Sequence, residues 1–223
     1  MSLAIFAFDF SMNKPAMTSF VNDVLDFYVW PSTIDDKSYN SLIFSDVNVY
    51  NRNLPTIKDK CYDQHSLILE HLTRSTRLAE IIVNTIDRVV KSNNIDKNNV
   101  IIANEGFAFS AKGDAVLDLS GYKYILMDRL ISRGYTNFRT YSPITIKKVA
   151  GCSKKGLGKD AMIIAFGNEY DENSPEKNHT MIHNIKEDPQ ILKKTKKYVM
   201  CVDDIADSYW CMRTALSDTS TNE

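Results

Sequence analysis

Residues 3–10 read Leu-Ala-Ile-Phe-Ala-Phe-Asp-Phe, an apolar run with one carboxylate, Asp9, near its end. A run this short, closed by a turn signal at residues 13–15, fits a central strand with both faces covered. A charge in such a strand is costly to bury unless it is paired or bound to a metal. Asp9 is therefore the first candidate functional residue, and the chain must build a layered sheet around the strand that carries it.

The rest of the chain supplies the layers. Residues 16–21 are expected to return as a second strand, and residues 42–49, rich in Ile, Phe and Val, as a third. The stretch 22–41 gives no clear pattern, and residues 26–30 suit either a strand extension or a loop. Ile68, Leu72, Leu78, Ile82, Ile86 and Val89 share one helical face over residues 65–92. Residues 100–103 form a further apolar run with Glu105 just beyond it, and Gly106 ends the strand. A helix over 118–133, a strand over 137–141 and a helix starting at Ser142-Pro143 follow, the last with Ser as cap and Pro in the first turn. Helices are expected from Lys159 to Phe166 and over 203–216, with a polar insertion at 168–187. This order predicts a mixed α/β sheet with antiparallel first strands and helices on both faces.

A chain of 223 residues, 43% hydrophobic and 25% charged, can bury its core as one domain. No apolar run reaches the roughly 18 residues that span a bilayer, so no membrane is expected as a partner. Residues 1–10 lack the basic flank and cleavage site of a signal peptide. Cys61, Cys152, Cys201 and Cys211 have no metal-type spacing and are expected to be reduced thiols in the cytoplasm. The net charge of −1 does not suggest a nucleic-acid binder, but the charges are patchy. Lys147, Lys148, Lys154, Lys155 and Lys159 form one basic group, and Lys193, Lys194, Lys196 and Lys197 another. Such a surface can hold a polyanion on one face, although each group also suits an ordinary solvated surface.

Three acidic sites stand where chemistry is common: Asp9 and Glu105 at strand ends, and Asp203, Asp204 and Asp207 at the start of the last helix. Spacings of three and four put Asp207 on one face with either of the other two. Carboxylates gathered at one sheet edge repel one another, and a hard divalent cation relieves that repulsion. Two Mg²⁺ ions held this way activate water and clamp a phosphodiester during hydrolysis. Acids at a helix start also have a simpler explanation, the favourable interaction with the helix dipole.

These residues resemble a known family. Phe-Asp-Phe-Ser (8–11), Ala-Asn-Glu-Gly-Phe-Ala-Phe (103–109) and Asp-Asp-Ile-Ala-Asp-Ser (203–208) are similar to the acidic motifs of RuvC-type Holliday junction resolvases. Residues 142–151 and then Lys159 resemble the segment that supplies that family's lysines. The resemblance implies a ribonuclease H-like fold, a homodimer, two Mg²⁺ ions per site with Mn²⁺ able to substitute, and paired incisions in four-way DNA junctions. By motif, Asp9, Glu105, Asp204 and Asp207 would be the metal ligands, with Asp203 still open. Lys147 and Lys159 would sit near the scissile phosphate or backbone. Lys148, Lys154 and Lys155 would bind DNA, and Phe107 or Phe109 would stack on an opened base or else pack in the core.

The chain is longer than compact members of that family, with insertions expected at about 22–65 and 168–198, and its Lys-, Asn- and Asp-rich style suits a phage member. His179 and His183 are four apart but have no supporting ligand cluster and read as surface residues. A nuclease for flapped or RNA–DNA hybrid substrates, or a non-catalytic DNA-binding protein on the same fold, remains the alternative.

Overall fold

The structure, a computed structural model, describes residues 3–10, 15–31, 47–50, 63–106, 114–154, 156–173, 193–194, 197–198 and 202–220. Strand β1 (Ala4–Asp9) pairs antiparallel with β2 (Ala16–Val21), and β2 with β3 (Val24–Val29). The β2–β3 turn is tight because Asn22 and Asp23 both take positive φ, 50° and 63°. That geometry matches the right-handed twist of the flanking strands and is best tolerated by Asn, Asp and Gly. The stretch left open in the sequence thus begins with a sheet strand. Of the run expected at 42–49, β4 (Val47–Val49) lies among the described residues and pairs parallel with β3 at the sheet edge.

Helix α1 (Gln64–Ser92) is capped by Asp63, whose side chain accepts from the Ser66 amide at 3.0 Å. Strand β5 (Val100–Glu105) then lies parallel to β1 on the side away from β2. Helix α2 (Asp114–Ser132) carries the chain over to β6 (Asn137–Tyr141), parallel to β5. The six strands run in the order β4-β3-β2-β1-β5-β6. Helix α3 (Pro143–Val149) starts as expected, with Ser142 accepting from the Thr145 amide at 3.1 Å and Pro in the first turn. Helix α4 (Lys159–Asn173) runs past Phe166 into the stretch expected to be an insertion. Tyr170 explains the extension: it is buried, with its ring 5.3 Å from Phe27 and 6.0 Å from Phe166. Two-residue strands β7 (Lys193–Lys194) and β8 (Lys197–Tyr198) pair with each other, and α5 (Val202–Ser220) ends the fold.

The sheet separates two cores. On one face Ala4, Phe6, Phe8 and Ile102 pack with Leu78, Ile82, Ile86, Leu126 and Leu130 of α1 and α2. On the other Ile5, Ala7, Ile101 and Ala103 pack with Ile205, Ala206, Tyr209 and Met212 of α5 and with Phe166 of α4. The apolar face of α1 is only partly used. Leu78, Ile82 and Ile86 are buried, whereas Ile68 and Leu72 stand 58% and 50% exposed. Length is the cause: 29 residues of helix span roughly 44 Å, against roughly 20 Å for a six-residue strand, so one end of α1 overhangs. Among the described residues no helix is long and apolar enough to cross a membrane. Cys152 and Cys211 are free and buried; Cys61, Cys201, His179 and His183 lie outside the described residues.

Candidate active site at the sheet edge

Strand alternation decides where Asp9 and Glu105 belong. Ile5 and Ala7 face α5, and Asp9 continues that series; Ile101 and Ala103 do the same in β5, and Glu105 continues it. The β1–β5 register ends at Phe8 opposite Asn104, and one step further the same offset sets Asp9 beside Glu105. Both carboxylates thus stand at the carboxyl ends of adjacent parallel strands, on the face that α5 covers. Helix α5 is held on that face by apolar packing and by a buried polar contact. Thr18 on β2 meets Ser208 at 2.8 Å, and Ser208 donates in turn to the Ile205 carbonyl at 2.8 Å. This pins the first turns of α5, which carry Asp203, Asp204 and Asp207, over the ends of β1 and β5.

The electrostatics record how closely these groups meet. Burial holds the Asp9 carboxyl well above the usual carboxylate range, helped by the charges of Asp204 and Asp207 and by a hydrogen-bonding contact with Asp204. Burial also pushes Glu105 up to about 7, with Asp207 and Asp9 adding to the rise and Lys159 and Lys147 opposing it. Asp207 is raised by burial against the pull of Lys159. Lys159, at the start of α4, lies 3.2 Å from Asp203 and 3.3 Å from Asp207. Its own burial would lower its pKa, but Asp207 and Asp203 outweigh that and hold it above its usual value. A carboxylate cluster with one lysine at its rim is the result.

The four acids that the motifs give as metal ligands therefore lie within electrostatic reach of one another. Asp204 and Asp203 are separated by their surroundings: Asp204 is 9% exposed and meets Asp9, while Asp203 pairs with Lys159 at the edge. Lys147 is exposed, yet near enough to lower Glu105 and Asp207. Lys148 and Lys154 are exposed on and after α3. Lys155, Phe107 and Phe109 lie outside the described residues. Among the described residues no three His, Cys, Asp or Glu side chains close around a single point as ligands around an ion do. The donor set nevertheless fits a hard cation: it is all oxygen, and burial and neighbouring carboxylates raise Asp9, Glu105 and Asp207, an effect that added positive charge would oppose.

One participant went unread in the sequence. Lys123 of α2 is buried, and its ammonium donates to the Glu105 carbonyl oxygen at 3.0 Å. The clue was its position on the apolar stripe of Leu119, Leu126 and Leu130, where a lysine is out of place.

An antiparallel three-strand meander continued by parallel strands, with carboxylates at the strand ends beneath a C-terminal helix, defines a ribonuclease H-like fold. Within that class the chain has the fold of RuvC. The Thermus thermophilus RuvC structure is similar over 99% of this chain and 97% of that one, with a TM-score of 0.50 and 8% identity. T. thermophilus RuvC in complex with a Holliday junction substrate matches over 98% and 96%, with a TM-score of 0.47 and 8% identity. The yeast mitochondrial Holliday junction resolvase matches over 98% and 81%, with a TM-score of 0.44 and 14% identity. No protein-family model and no curated protein sequence matches the chain.

Proposed function

We propose that this protein is a divalent-metal-dependent endonuclease of branched DNA, acting on four-way junctions. The observation that carries the reading is the meeting of Asp9, Glu105, Asp204 and Asp207, from three separate elements, at one sheet edge with Lys159 beside them. A structural explanation covers acids at a helix start, but not a strand aspartate and a helix aspartate buried in contact. Asp9, Glu105, Asp204 and Asp207 would hold Mg²⁺, or Mn²⁺ in its place. A cation there supplies Lewis-acid polarisation of a phosphodiester and a water nucleophile active at neutral pH.

The chain's own groups do the rest. Lys159 pairs with Asp203 and Asp207 and offsets part of the burial that raises Asp207. Lys147 adds positive potential on the approach to Glu105, and Lys148 and Lys154 extend it outward as contacts for the phosphate backbone. Phe107 and Phe109, just past Glu105 in the chain, are suited to stack on an unpaired base. A homodimer belongs to the same reading, because a two-fold pair of sites matches the two opposed strands of a junction. The exposed Leu67, Ile68, Leu69 and Leu72 on the overhang of α1 offer apolar surface for a second copy. Additions to a single nuclease domain are proposed within the segments at about 22–65 and 168–198, outside β3 and α4.

The test is a synthetic four-way junction incubated with the protein and Mg²⁺. Symmetrical nicks that vanish in Asp9→Asn support the reading. Preference for RNA–DNA hybrids over junctions moves the substrate to another member of the fold, and cleavage unaffected by Asp9→Asn overturns it.

A further inference from the structure

Phe8 and Asn104 are the last paired residues of β1 and β5, so Asp9 and Glu105 stand side by side at the open end of that ladder. No further β1–β5 pairing restrains the strand ends beyond them. Lys123 bridges the gap. Its ammonium donates to the Glu105 carbonyl oxygen at 3.0 Å and stands 5.5 Å from the ring centroid of Phe10, the residue after Asp9. Phe10 is fixed in turn: it stacks on Phe8 at 5.4 Å and meets Tyr122 edge-on at 6.0 Å. One buried side chain from the opposite face of the sheet thus engages the end of each acid-bearing strand.

A methylene stem with an apolar end would fill the same space. Burying the ammonium is costly, and burial does pull the pKa of Lys123 below its ordinary value. The carbonyl and the ring face each offset part of that cost by attracting the cation.

We infer that Lys123 is a positioning residue that clamps the ends of β1 and β5 so that the Asp9 and Glu105 carboxylates present one shared cation site. The inference rests on the nuclease reading above, and its test keeps the two apart. Mn²⁺ alone is titrated calorimetrically into the full-length wild-type chain, Lys123→Met, and Leu78→Ala as a control that destabilises the same core away from the site. Circular dichroism checks the fold of each. Lys123→Met is expected to stay folded and to bind Mn²⁺ about 10–100-fold more weakly, the usual effect of losing a group that orients metal ligands. Leu78→Ala is expected to bind as wild type does.

Absence of Mn²⁺ binding by the wild-type chain sinks the nuclease reading itself. Wild-type binding with an unchanged affinity in folded Lys123→Met sinks the clamp alone, as does an equal loss in Leu78→Ala. If Lys123→Met does not fold, Phe10→Leu, which removes the ring but leaves the Glu105 contact, is expected to weaken Mn²⁺ binding in the same direction. Loss of fold in both variants makes Lys123 a packing residue and overturns the inference.

Discussion

Asp9, at the end of the first strand, and Asp204, in the first turn of the last helix, meet in a buried site where burial and then the Asp204 charge raise the Asp9 carboxyl. Two acids nearly a chain length apart thus stand together, a contact that makes sense when a cation lies between them. Removing either acid's charge should separate catalysis from binding. Asp9→Asn is expected to lose more than about 100-fold in junction cleavage, beyond the 10–100-fold typical of outer-shell changes. Binding to the same junction in EDTA, read by gel shift, should be retained.

Asp203 and Asp204 are adjacent in the chain but not equivalent. Asp204→Asn is expected to reduce cleavage at least about tenfold more than Asp203→Asn, because Asp204 is buried against Asp9 and Asp203 pairs with Lys159 at the rim. Single-turnover rates under saturating Mg²⁺ measure the difference. Equal losses would make Asp203 a ligand too.

Without a bound cation, stability should fall as pH rises. Burial, Asp207 and Asp9 lift Glu105 to about 7 in the folded chain, whereas the unfolded carboxyl ionises in the usual range. The folded state therefore holds this proton more tightly. The stabilisation is full below the unfolded pKa and is lost as pH climbs through the folded value, roughly pH 4.5 to 7 and a little beyond. Asp9 and Asp207 shift in the same direction. Thermal unfolding in EDTA should show Tm falling across this window, with a shallower fall in Glu105→Gln and recovery near pH 8 when Mg²⁺ is added.

The basic approach to the site should appear in the salt dependence. Replacing Lys147, Lys148 and Lys154 together by Ala is expected to flatten the slope of log K against log salt by up to about 2.7, at roughly 0.9 for each duplex phosphate contact. Cleavage at saturating protein should change far less. An unaltered slope would place the DNA on another face.

The polar pin between sheet and helix has a stability signature. Ser208 spends its own proton on the Ile205 carbonyl, so Thr18 donates to it. Ser208→Ala leaves the Thr18 hydroxyl buried without that partner and should cost about 1–3 kcal/mol by urea unfolding. Adding Thr18→Val should recover much of the loss, since an apolar pair of similar shape leaves nothing unsatisfied.

How much of this was legible before folding differs from residue to residue. Asp9 could be read directly, because a charge inside an apolar strand has few inexpensive explanations. The β1 and β5 strands followed from short apolar runs, and the body of α1 from periodicity, signals that one segment carries by itself. Strand β3 was left open because its signal is a turn, Asn22-Asp23, whose positive φ values show only in the backbone. The exposure of Ile68 and Leu72 depended on where the sheet stops under α1.

What the amino-acid order settled by itself was which residue types lie near which strand and helix ends, since alternation and helical repeat are properties of neighbours in the chain. What only the tertiary structure decided was who meets whom: Asp204 rather than Asp203 against Asp9, Lys159 beside Asp207, Lys123 beneath Glu105. Those choices depend on strand register and on the placement of α5 across the sheet, both set by packing between segments far apart in sequence. No local pattern encodes a contact whose two halves are brought together by burying a common core.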